Sequence, residues 1–196
     1  MNRLALDDAA VIEASRAEPD RFASLFDRHA PYIHRYLARR VGRQAADDLV
    51  AETFLVAFRK RARYDPGHHD ARPWLYGIAT NLIAQHRREE ARQFRLRQAA
   101  GPDPVQHDWA ERSALDVTAR SLRVPLTQAL ARLARPDRDV LLLIAWEQLS
   151  YDEVARALSI PVGTVRSRLH RARTKIREAL AGTPASATYE EILTNE

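Results

Sequence analysis

The chain has 196 residues, 45% of them hydrophobic and 29% charged, with 6 glycines and a formal net charge of +5. That length and balance suit one helical globular domain or two small ones, and the zero cysteines exclude disulfides, thiolate metal sites and cysteine nucleophiles. No run of roughly eighteen apolar residues occurs, which argues against membrane insertion, and the positive balance points to an anionic partner, nucleic acid first.

Residues 1 to about 18 are weakly patterned. The opening MNRLALDDAAVIEASR is acidic and amphipathic, unlike a signal peptide, so the chain is expected in the cytoplasm. The Pro19-Asp20 pair reads as a helix start, and Phe22, Leu25, Phe26 and His29 repeat at helical spacing up to Pro31, where a break or kink is expected. Ile33, Leu37 and Val41, with Tyr36 beside them, continue an apolar face to Gly42, a helix stop. A further helix is predicted from about Ala45 to Arg63. Asp47 and Asp48 suit its N-terminal dipole, Arg59, Lys60, Arg61 and Arg63 its other end, and Val50, Phe54, Ala57 and Phe58 its buried side.

Tyr64 to Arg72 (YDPGHHDAR) is turn chemistry. His68, His69 and Asp70 are adjacent, do not converge easily on one ion, and read as a solvated loop; no metal site or cofactor is expected. Pro73 then leads a helix that combines Trp74 and Tyr76 with a basic end at His86, Arg87 and Arg88. Rings that stack on bases beside arginines that track phosphates are what an unpaired strand needs; a plain core role for Trp74 and Tyr76 fits the pattern equally well. From Glu89 to Ser121 the periodicity fails around Gly101-Pro102-Asp103-Pro104, which reads as an extended linker between two domains.

Leu122, Leu126, Leu130 and Leu133 restart a helical face, Arg135-Pro136-Asp137 marks a new start, and Val140, Leu141, Leu143, Ile144 and Trp146 follow. Ser150 and Glu153 form a capping box ahead of Val154, Ala155 and Leu158. The run Ser159-Ile160-Pro161-Val162 interrupts the period, since Pro161 has no amide to donate. Val165, Leu169, Ala172, Ile176 and Leu180 then share one face of a second helix. Two helices joined by a tight turn, the second strongly basic, predict a DNA-binding helix-turn-helix. From Pro161 to Ala181 six Arg and Lys residues stand against Glu178 alone, a net of +5 that equals the charge of the whole chain. An ordinary bundle helix with a solvated basic face is the bland alternative. The tail after Gly182 is short and acidic and is expected to be disordered.

Taken together, Phe22 to Arg88 (FASLFDRHAPYIHRYL, DDLVAETFLVAFRK, DPG, RPWLYGIATNLIAQHRR) and Leu122 to Leu180 resemble a bacterial RNA polymerase sigma factor of the extracytoplasmic-function group, which keeps regions 2 and 4. The resemblance implies an all-α chain. A region 2-like domain would occupy residues 1–90, a flexible linker 91–121, a region 4-like helix-turn-helix domain 122–182 and a tail 183–196. It implies core RNA polymerase and promoter DNA as partners, with an anti-sigma factor as a third. Asp48, Leu49, Glu52, Thr53 and Phe54 would contact polymerase. Trp74, Asn81, His86 and Arg87 would melt or capture the −10 element. Thr164, Arg166, Ser167, Arg168, His170, Arg171, Arg173 and Lys175 would contact the −35 element, with Arg166, Ser167, His170 and Arg171 toward base edges and Arg168, Arg173 and Lys175 toward phosphates.

A polymerase-independent helix-turn-helix regulator is the alternative; it leaves Asp47 to Arg88 unexplained. An enzyme is disfavoured. Asp47 and Asp48 point about 100° apart on a helix, poor geometry for one ion, and no P-loop or HExxH string is present.

Overall fold

Asp7 opens the first helix of the computed structural model, which describes residues 7–99 and 126–181. Its Oδ1 accepts from the Ala10 backbone N–H at 2.7 Å, a side-chain cap that starts α1, Asp8–Ala17. Residues 8 to 17, expected to be weakly patterned, are therefore helical; the Asp-Asp pair ahead of AAVIEASR is the signal. A 3-10 turn at Pro19–Phe22 leads into α2, Ala23–Val41. That helix runs through Pro31 without the expected break. Pro31 lies on the exposed side of the helix, and its cost of about 3 kcal/mol is offset by the packing on the opposite side.

Gly42, at φ +83, lets the chain turn within one residue into α3, Arg43–Lys60. A 3-10 turn at Arg61–Arg63 and an open connection over residues 64–71 lead to α4, Arg72–Ala99. This helix passes the boundary expected at residue 90 and takes up the first part of the expected linker; residues 100–121 of that linker lie outside the described residues. The helices α2, α3 and α4 pack on one another, and α1 covers α2 and the two 3-10 turns. At their centre Tyr36 and Tyr76 meet edge to face with centroids 5.3 Å apart. The Tyr36 hydroxyl lies 2.8 Å from Thr80 Oγ1 and accepts from Arg40 Nη1 at 2.9 Å. Tyr76 is thus a core residue.

The chain divides into two compact units; among the described residues the first holds 7–99 with Arg156–Leu158, and the second the rest of 126–181. In the second described stretch residues 126–132 form α5, followed by α6 at Arg135–Ala145, α7 at Tyr151–Leu158 and α8 at Val162–Leu180. The helix α6 packs against α8, burying Val140 and Leu143 on one and Val165, Leu169, Ala172, Ile176 and Leu180 on the other. The capping box forms as the sequence requires. The Ser150 N–H donates to Glu153 Oε2 at 2.7 Å, and the Glu153 N–H donates to Ser150 Oγ at 3.3 Å.

The turn between α7 and α8 is closed by the Ile160 N–H donating to the Ala155 carbonyl at 3.0 Å, with Ser159 at φ +52 in the left-handed region. A side chain there is strained, and glycine is not. Ser159→Gly is expected to stabilise the chain by about 0.5–1 kcal/mol, read as a higher denaturation midpoint; an unchanged or lower midpoint would show the strain to be relieved locally. Among the described residues no helix is long and apolar enough to cross a membrane, and all regular structure is helical.

Candidate nucleic-acid interface

The basic character of α8 is confined to the sides that α6 leaves uncovered. Arg166, Ser167, His170, Arg171 and Lys175 are exposed, while Thr164, Arg168 and Arg173 are half-buried. Ser167 Oγ donates to the Thr164 carbonyl at 3.1 Å, a local bond that a DNA acceptor can replace. Every α8 residue expected to face DNA is therefore at least partly accessible. Arg171 is held by a carboxylate from another helix. Its Nη2 lies 3.0 Å from Asp137 Oδ1 and its Nε 3.3 Å from Asp137 Oδ2. The hydrogen bond to Asp137 holds the Arg171 guanidinium above its ordinary value, firmly charged.

The candidate single-strand surface is arranged by the connection into α4. Trp74 is half-buried and packs on Tyr64, ring centroids 4.9 Å apart. Tyr64 donates its hydroxyl to the His68 carbonyl at 2.7 Å, and burial pushes that hydroxyl well above the ordinary tyrosine range, so it stays a donor. Asn81 is exposed; His86, half-buried, stands 3.4 Å from Glu90 on the next turn. Arg87 is engaged inward. Its Nη2 donates to the Arg40 carbonyl at 2.8 Å, satisfying the end of α2.

The connection itself is tied to α1, an arrangement with no local sequence signal. Asp8 is 4% exposed. Its carboxylate accepts from the Ala71 N–H at 2.9 Å, stands 2.8 Å from His29 Nε2 and pairs with Arg28. The Asp8 N–H in turn donates to the His69 carbonyl at 3.1 Å, and Asp7 takes His69 Nδ1 at 2.6 Å. His69 therefore points to α1, while His68 lies 3.6 Å from Asp65. No group of three or more potential ligands that would hold a metal ion occurs among the described residues.

Of the five residues expected to face polymerase, three are buried side chains. Thr53 is wholly buried, its Oγ1 donating to the Leu49 carbonyl at 2.6 Å, and Leu49 and Phe54 are also buried. Phe54 meets the ring of Phe26 edge to face at 4.8 Å. Phe54 is buried as its helical spacing predicts, and Leu49 and Thr53 lie with it where α3 packs on α2 and α4. Asp48 and Glu52 are exposed, and Leu55 is 46% exposed on the next turn.

Comparison with known proteins adds to this geometry. Residues 25–93 match the family model described as Sigma-70 region 2, and residues 123–176 the one described as Sigma-70, region 4. The RNA polymerase sigma factor CarQ of Myxococcus xanthus is 36% identical over 165 residues, spanning 82% of this chain and 90% of CarQ. The ECF RNA polymerase sigma factor SigL of Mycobacterium tuberculosis is 34% identical over 173 residues, 88% of this chain and 96% of SigL. Among solved structures, the sigma factor RpoE in complex with the anti-sigma factor NepR from Bartonella quintana shares the fold with a TM-score of 0.60 at 23% identity, covering 82% of this chain and 97% of that one. CnrH, solved with the cytosolic domain of CnrY, does so at 0.62 and 23%, covering 88% and 96%.

Proposed function

The chain belongs to the extracytoplasmic-function sigma factors of the sigma-70 family, and we propose how its two units share the work of that promoter-specificity subunit. As a sigma factor it binds core RNA polymerase, recognises the −35 and −10 promoter elements and promotes DNA opening. The observation that carries this is the match of both family regions, in order, with a relative covered over 90% of its length.

The N-terminal unit, extended through Ala99 by α4, takes the polymerase and the −10 element. Asp48, Glu52 and Leu55 present the polymerase-facing surface, and Leu49, Thr53 and Phe54 support it from within. Trp74 and Asn81 meet the unpaired strand, with His86 beside them, while Arg87 braces α4 on α2. The C-terminal unit places α8 in the major groove of the −35 element. Arg166, Ser167, His170 and Arg171 approach base edges, Thr164 lies at the start of the helix, and Arg168, Arg173 and Lys175 meet phosphates. The chain works in the cytoplasm without catalysis of its own, and an anti-sigma factor that covers its polymerase-binding surface restrains it.

Reconstitution tests this reading against an independent regulator. Mixed with bacterial core polymerase, the full chain is expected to co-elute with it and support run-off transcription from a genomic promoter library, and to bind those promoters weakly alone. Tight sequence-specific binding without polymerase, and no co-elution, would replace it with the regulator.

A further inference from the structure

An arginine that reads a base edge must give up the rotamer freedom of a long side chain when it binds. Ordering it beforehand removes that loss, and Arg171 is ordered beforehand by a residue that lies on another helix and outside the recognition motif. Asp137 sits in the first turn of α6, where the helix dipole favours a carboxylate, directly after Pro136. It is 5% exposed, whereas the Arg171 side chain is 52% exposed. The carboxylate is fixed in the protein and the guanidinium reaches the surface. Since α6 packs against α8, the pair joins the start of one helix to the middle of the other.

A guanidinium carries five N–H donors in one plane. Asp137 takes the edge formed by Nε and Nη2, at 3.3 and 3.0 Å. The adjoining edge, formed by Nη1 and the second proton of Nη2, remains to donate, and two parallel N–H groups are what guanine O6 and N7 accept in the major groove. Arg166 and His170, like Arg171, are exposed on α8.

We propose that Asp137 is a positioning residue for DNA readout, holding Arg171 so that its remaining edge meets one guanine of the upstream promoter element. The proposal rests on the reading of α8 as the −35 recognition helix. It extends the recognition surface to a buried side chain that never touches DNA.

The test uses the full chain with core polymerase on a promoter library randomised through the −35 element. The variants are wild type, Asp137→Asn, Arg171→Ala, Arg171→Lys and the Asp137→Asn/Arg171→Ala double variant. Asp137→Asn and Arg171→Ala are expected to lose preference for guanine at the same base pair by about five- to a hundred-fold, and the double variant to do no worse than Arg171→Ala. Arg171→Lys keeps the charge opposite Asp137 but offers no planar fork, so it is expected to lose that preference while leaving the thermal midpoint near wild type. It decides the matter should Asp137→Asn fail to fold. A uniform fall on all sequences with base preference intact would make the pair structural only and overturn the proposal, as would wild-type preference in Arg171→Lys. Failure of the wild-type chain to initiate on any member of the library would instead overturn the functional reading beneath it.

Discussion

Replacing Asp8 by alanine is expected to destabilise the N-terminal unit by about 3 kcal/mol, the order found when one partner of a buried, hydrogen-bonded charge pair is removed. The carboxylate is buried and answers three donors, His29 Nε2, the Ala71 N–H and Arg28. Alanine leaves all three without it, two of them away from bulk water. Chemical denaturation followed by circular dichroism checks the magnitude, and a loss below about 1 kcal/mol would mean that water replaces the carboxylate at little cost.

The pH dependence of the same site has a definite sign. Burial alone pushes the Asp8 carboxyl upward, but hydrogen bonds from His29 and the Ala71 N–H, with the charges of His29 and Arg28, outweigh it and leave the folded value below the ordinary aspartate value. The stability Asp8 contributes is therefore complete above the unfolded aspartate value, about 3.9, and is lost as pH falls through the lower folded one. Asp8→Asn should flatten the stability profile in that acid window. It should also loosen the connection over residues 64–71, which Asp8 ties at Ala71 and His69.

Trp74→Ala is expected to leave polymerase binding near wild type and to cut promoter opening by roughly one to two orders of magnitude, as the loss of a base–aromatic stack of about 1–3 kcal/mol requires. One part of the indole rests on Tyr64, itself bonded to the His68 carbonyl, and the remainder is accessible. Permanganate reactivity of unpaired thymines measures opening directly, and wild-type reactivity in the variant would end this assignment. Truncation also removes the contact with Tyr64, so Trp74→Phe serves as the companion variant. It keeps a ring on Tyr64 and should open promoters at an intermediate level.

Much of the C-terminal unit could be read from residue order, because its signals are local. The box at Ser150 and Glu153, the proline after Ile160 and the apolar repeat from Val165 to Leu180 each act within a few residues, and each appears in the structure as expected. The N-terminal unit was read less well. Pro31 predicts a break that packing overrides, and the end of α4 carries no apolar face that would mark it as helix before Ala99. Asn81 and Arg166 lie on the surface, Phe54 is buried as its helical spacing predicts, and Leu49 and Thr53 join it in the core. Side-chain type on α3 does not say which of its sides is covered, since helices dock on it from two directions.

Residue order by itself determined the helical class, the two-unit organisation, the helix-turn-helix and the concentration of positive charge on α8. These follow from capping, periodicity and Coulomb attraction, which operate over a few residues or over composition. Only the tertiary structure decided that Asp8 anchors the approach to α4, that Arg87 turns back to α2 and that Arg171 rests on Asp137. Those pairings join residues 63, 47 and 34 positions apart. A charged side chain carries no mark of its partner until packing has brought the two helices together and removed the water between them.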